Sequence, residues 1–165
     1  MNLRNVLTKV GRRLAPRVIF DRDGLNPYLS RYYLLFRDRG DEASRFPFNV
    51  FLHFFHRGDD DEALHNHPWK WSVSVILKGG YVEERRVGLR IIRKVLRPGR
   101  INIIRADDYH RVDLLQPKRG AWSLFIAGPR TGKSWGFWDR DTRVYTPWRT
   151  FIAQRRGVDE RTIGR

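Results

Sequence analysis

Two histidines stand one residue apart in the stretch Ala63-Leu64-His65-Asn66-His67-Pro68-Trp69, in a chain with five histidines and no cysteine. Neutral imidazole is the commonest ligand for borderline divalent metals such as zinc, iron, nickel and copper. Side chains at i and i+2 of a β-strand point to the same face, so an extended His65-Asn66-His67 presents two imidazoles side by side. Two nitrogens do not make a site, and a third ligand has to come from elsewhere. His110 is the natural candidate: it follows the turn-like Ala106-Asp107-Asp108 and opens a strand that runs through Val112 to Leu115. The lack of cysteine excludes disulfides, thiolate ligands and a cysteine nucleophile, and fits a reducing, cytoplasmic setting.

The elements that would position these residues read as strands. From residue 28 onward the chain shows short β-rich runs: Tyr28–Phe36, Asn49–His56, Trp69–Leu77, Gly88–Leu96, Arg100–Ile104, His110–Leu115 and Trp122–Ala127. Turn signals separate them, among them Gly79-Gly80 and Pro98-Gly99. Short strands at this spacing predict an all-β antiparallel sandwich or barrel. At 165 residues the chain suits one domain with a sizeable core. Before the barrel, Leu3, Val6, Leu7, Val10 and Leu14 fall at helical spacing, so residues 1–16 are expected to form a short amphipathic helix ended by Pro16 and packed on the barrel. Residues 17–156 then make the barrel, and 157–165 a polar tail. No apolar run approaches the length of a membrane span, and no signal peptide is visible.

The spacing resembles that of the cupin superfamily, the small jelly-roll barrels. The first cupin motif is Gly, five residues, His, one residue, His, three or four residues, Glu, six residues, Gly. Gly58 precedes His65 by one residue more than the pattern, His65 and His67 match the histidine pair, Ser72 takes the place of Glu, and Gly79 matches the last glycine. In the second motif Gly99 matches the start and His110 the histidine, while Arg105, Asp107 and Leu114 stand where the family has Pro, Gly and Asn. The likeness covers residues 58–114 and implies a cupin-type double-stranded β-helix. It also implies metal ligation by His65, His67 and His110, a shell lacking the family's carboxylate. Three-histidine shells occur in some cupin-like dioxygenases that use ferrous iron, so Fe(II) is expected ahead of Zn(II), Mn(II) or Ni(II).

Around this centre several residues have two readings each. The acidic run Asp59 to Glu62 either orients an imidazole or forms a solvated turn, and the turn is expected. His53 and His56 have opposite strand parity, so at most one faces the interior; His56, beside the turn, is the better spare ligand. Tyr109 stands next to His110 as a possible general acid, and Arg105 as a bidentate anion holder or a partner of Asp107, Asp108 or Glu84. Trp71, Ser72, Trp122 and Arg93 are expected to contact substrate, the tryptophans by stacking or simply by filling the core. Residues 127–134, Ala-Gly-Pro-Arg-Thr-Gly-Lys-Ser, imitate a phosphate loop, but the Gly and aromatic cluster after them argues against the helix such a loop requires.

Charge sets the partners to expect. Lys and Arg number 33 against 18 Asp and Glu, for a net charge of +15. The segment 85–105 carries Arg85, Arg86, Arg90, Arg93, Lys94, Arg97, Arg100 and Arg105 with no acidic residue. It is the best candidate anion-binding face. The expected function is therefore a cupin metal-dependent oxygenase acting on a small anionic molecule. The alternatives are a binding module for nucleotide, sugar or nucleic acid, and a nucleotide-sugar isomerase or epimerase. A homodimer is a further expectation, with the N-terminal helix as an element that could mediate it, since the cupins that the chain resembles often pair through sheet edges.

Overall fold

In a computed structural model of the chain, residues 16–35, 47–59 and 62–163 are described. The helix expected over residues 1–16 lies outside them, Pro16 apart. Twelve strands follow: β1 Arg17–Phe20, β2 Pro27–Tyr33, β3 Asn49–Phe55, β4 Leu64–His65, β5 Trp71–Lys78, β6 Tyr81–Val87, β7 Arg90–Leu96, β8 Ile101–Arg105, β9 His110–Leu114, β10 Ala121–Ala127, β11 Gly136–Trp138 and β12 Tyr145–Pro147. They form two six-stranded antiparallel sheets. One, sheet A, has the order β1-β2-β3-β10-β5-β8, and the other, sheet B, β12-β11-β4-β9-β6-β7. The all-β barrel expected from the sequence is the observed architecture. No helix among the described residues is long and apolar enough to cross a membrane.

Period-two burial explains which side chains look inward. Along β5, Ser72, Ser74 and Ile76 are buried, and along β10, Ala121, Ser123, Phe125 and Ala127 are. Two apolar clusters fill the interior. Ile76, Tyr81, Leu96, Val112, Leu114 and Ala121 close the end where β5 and β9 finish. Phe51, Ile104, Phe125 and Ala127, with Tyr33 and Trp69, lie toward the end where β9 begins at His110. Leu64 is completely buried. That burial contributes about 2 kcal/mol and anchors a strand only two residues long, directly ahead of His65. Gly79 shows why the cupin spacing ends on glycine: its φ is +76°, and a Cβ there would sit 2.5 Å from the Gly120 carbonyl oxygen.

The structure differs from the sequence reading in its charged and C-terminal parts. Strand β6, Tyr-Val-Glu-Glu-Arg-Arg-Val, was not foreseen, because four consecutive charges mask the strand signal. Its charges are paired: Glu84 meets Arg93, Arg111 and Arg140, while Glu83 and Arg85 bond each other. After Ser134 comes strand β11, so no helix follows the phosphate-loop look-alike. An unforeseen helix, α1 (Trp148–Arg156), ends at Gly157 in the left-handed conformation. Within the expected polar tail, Glu160–Thr162 form a 3-10 turn capped by Asp159.

Candidate metal centre

Backbone register brings the first two imidazoles together. His65 on β4 is the direct cross-strand partner of His110 on β9, and on its other side it pairs with Phe137 of β11. His67 lies just beyond β4 and is held by its neighbours. Between the two histidines, Asn66 accepts from Gly136 N at 2.8 Å through Oδ1 and donates to Ala106 O at 3.0 Å through Nδ2. Further on, Thr131 N donates to Pro68 O, and Trp69 stacks on His67 with centroids 5.6 Å apart. His-Asn-His is thus a segment stapled on both sides rather than a strand carrying two like-facing side chains.

The three rings form a tight triangle. Centroids of His65 and His110 are 4.8 Å apart, of His67 and His110 5.0 Å, and of His65 and His67 5.2 Å. One ligand nitrogen from each lies within 4.8 Å of the others, and His67 Nε2 is 2.9 Å from His110 Nε2. Two nitrogens each about 2.1 Å from one ion and at right angles around it stand about 3 Å apart. The His67–His110 spacing therefore matches two adjacent ligands of a single cation.

Two carboxylates hold the triangle from outside. His110 Nδ1 donates to Glu83 Oε1 at 2.8 Å, which leaves its Nε2 lone pair facing His67. Glu83, 2% exposed, also accepts from Arg85 Nη2 and Asn102 Nδ2, each at 2.8 Å. Burial alone would raise the Glu83 pKa, but these hydrogen bonds and the neighbouring positive charge bring it down to about 2. Asp59 is buried, accepts from Val112 N at 2.7 Å, and places Oδ1 3.6 Å from Arg22 Nη2 and 3.8 Å from His65 Nδ1. Burial raises its pKa against the pull of Arg22. Burial is likewise the main force that holds His65 and His67 well below their ordinary pKa, with the charge of His110 adding to it. A divalent metal requires neutral imidazole ligands, the form burial favours at His65 and His67, so three converging ring nitrogens fit such an ion.

Of the residues singled out in the sequence, the three histidines come together, with Asp59 beside His65. Ser72 is fully buried on β5, its hydroxyl without a partner. Trp71 is 38% exposed and covers Gly128, and Trp122 stacks on Tyr32 and tilts against Phe54 on the outer face of sheet A. Arg93 is exposed and pairs with Glu84. Arg105 is exposed, and the group its backbone N–H meets is Asp108. Tyr109 packs by Tyr145 and Arg86, its hydroxyl pKa raised mainly by burial. His53, not His56, occupies the interior: it is 3% exposed, while His56 is exposed and bonds Ser30 Oγ. Asp59 is no solvated turn residue but a buried neighbour of His65. Glu83 escaped the sequence reading because β6 itself did; a lone Tyr-x-Glu-x-Arg alternation was the signal available.

Comparison with known proteins bears on the fold. No protein-family profile matches the chain, and no curated protein matches it by sequence. Solved structures do. One reported with the DMSP lyases RdDddP and RnDddQII shares 16% identity at a TM-score of 0.59, over 81% of this chain and 66% of that one. Fe(II) HppE in complex with substrate shares 11% at 0.51, over 70% of this chain and 57% of that one. A cupin-like protein from Thermotoga maritima shares 15% at 0.45, over 61% and 68%. The chain thus spans less than two thirds of the first two proteins. Two antiparallel six-stranded sheets around a three-histidine cluster, with these neighbours, give the chain the cupin fold.

Proposed function

We propose that the chain is a metal-dependent cupin enzyme that holds a divalent ion through His65, His67 and His110 and acts as an oxygenase on a small anionic substrate. The observation that carries this reading is the convergence of three imidazoles, with His110 Nδ1 bonded to a buried carboxylate. Fe(II) is favoured over Zn(II), Mn(II) and Ni(II), and the iron in the HppE neighbour supports that choice. When bound, such an ion supplies Lewis acidity and, for ferrous iron, redox chemistry with dioxygen. Three neutral ligands leave its full charge in the site, which favours an anionic substrate. Glu83 keeps the His110 proton on Nδ1, and Phe51, Trp69 and Phe125 keep water from one side of the centre. Metal analysis of the full chain purified without a histidine tag is the test. Near-stoichiometric divalent metal, lost in His65→Ala and His110→Ala, is expected; metal-free protein whose stability those substitutions leave unchanged overturns the reading.

A second reading, binding of a nucleotide or nucleic acid, draws on the exposed cations Arg90, Lys94, Arg97 and Arg100. Salt-dependent binding to single-stranded oligonucleotides tests it, and absence of affinity at low salt removes it.

A further inference from the structure

The inner face of sheet A carries polar groups that the metal centre does not use. His53, on β3, lies with Nε2 3.1 Å from Arg31 Nε. A guanidinium nitrogen only donates, so His53 Nε2 accepts and the neutral ring carries its proton on Nδ1. That buried N–H has no partner. Directly across the β3–β10 ladder stands Ser123, 1% exposed, whose hydroxyl also has no partner. A buried donor left unbonded is unfavourable, so such a group favours an acceptor that reaches it. Two of them on adjacent strands, roughly 5 Å apart at Cβ, form a pair of donors facing one acceptor.

The surroundings define that acceptor. The His53 ring stacks on Phe125 and Phe51, with centroids 4.8 and 5.7 Å away. The Arg31 guanidinium lies 4.9 Å from the Phe51 ring and 5.7 Å from Trp69. Phe125 and Trp69 in turn touch His67, at 6.0 and 5.6 Å between centroids. The donor pair and the metal centre therefore share one aromatic wall, and Arg31 adds positive charge beside it. A carboxylate offers two coplanar oxygens, one for the N–H and one for the O–H, and its flat shape suits a ring-lined site. A phosphate would press further charged oxygens against Phe51 and Phe125, where nothing solvates them.

We propose that His53 and Ser123, beside Arg31, recognise the carboxylate of a small organic acid and direct its other end toward His67. The proposal rests on the metal-centre reading only for what happens at that other end. Calorimetric titration of the full chain with malonate, acetate and inorganic phosphate, in metal-free and metal-loaded protein, tests it, with metal content measured for every variant. Malonate or acetate is expected to bind, to shift the His53 Nδ1–H resonance, and to bind more tightly than phosphate. Affinity should fall about tenfold in His53→Phe and about fivefold in Ser123→Ala, and stay unchanged in the exposed control Lys118→Ala. If His53→Phe folds poorly, Ser123→Ala and the resonance shift still decide. Equal affinity in Ser123→Ala, an unmoved resonance, or preference for phosphate overturns the proposal. Carboxylate binding that maps to Ser123 in a protein that never takes up metal would uphold this site and remove the metal reading. Metal uptake with no carboxylate response would do the reverse.

Discussion

His110 Nδ1 and the Glu83 carboxylate are 2.8 Å apart, and the oxygen that His110 meets also takes bonds from Arg85 and Asn102. A candidate ligand on β9 is thus oriented by a carboxylate on β6, which Arg85 of the same strand and Asn102 of β8 lock in turn. Arg85 extends the lock: its Nη1 donates to Ile103 O at 2.9 Å and to Asp108 Oδ2 at 3.1 Å. The orientation of the imidazole is therefore a property of both sheets.

Glu83→Gln should weaken divalent metal binding by about 10–100-fold, the usual effect of losing a carboxylate behind a ligating histidine. It should also destabilise the fold by about 1–3 kcal/mol, because Arg85 keeps its charge in a largely enclosed site with only the partly exposed Asp108 left to balance it. Competition with a chelator and urea unfolding measure the two effects. Unchanged metal affinity would separate Glu83 from the site.

Asn66→Ala removes no ligand, yet it should lower metal affinity. The substitution strips the acceptor from the Gly136 N–H and the donor from Ala106 O, the two bonds that hold the segment between His65 and His67. A loss of about 1–3 kcal/mol in stability is expected. A variant that melts earlier but binds metal as the parent does would show that the staple serves the fold alone.

Stability of the metal-free protein should fall as pH drops below about 6.5, the ordinary histidine pKa. Burial holds His53 well below that value, and the charge of Arg31 adds to it. Between the folded and unfolded pKa the unfolded chain takes up a proton that the folded chain refuses, so acid favours unfolding. His65 and His67 act in the same direction. Urea midpoints across pH 5 to 8 measure the slope, and His53→Phe should flatten it; a slope of the opposite sign would contradict the buried neutral ring.

Arg105→Ala and Arg93→Ala should each change stability by no more than about 0.5–1 kcal/mol and leave metal content intact. Both side chains are exposed, and the bond that Arg105 makes to Asp108 comes from its backbone. A loss of substrate turnover in either variant would move substrate recognition from the barrel interior to the basic outer face.

Much of the architecture was legible because strands with one buried face alternate. Trp-Ser-Val-Ser-Val-Ile in β5 and Ala-Trp-Ser-Leu-Phe-Ile-Ala in β10 show it, and Gly79 and Gly99 mark turns that require positive φ. The pattern failed where charge was turned inward. Glu83 and Arg85 sit on the buried face of β6, and only their partners on β8 and β9 make that position tenable. It failed also at His53 and His56, where parity said that at most one faces inward and the turn beside His56 favoured the wrong one.

The sequence by itself determined the barrel and the three histidines, since ligand type, spacing and strand alternation are local properties. Tertiary structure alone decided what surrounds them. Whether Asp59 is solvated or buried beside His65, which carboxylate takes the His110 proton, and that Arg105, Trp71 and Trp122 point away depend on cross-strand register and on which face meets the core. Register is a relation between residues far apart in the chain, and a shift of one residue reverses every side chain in a strand.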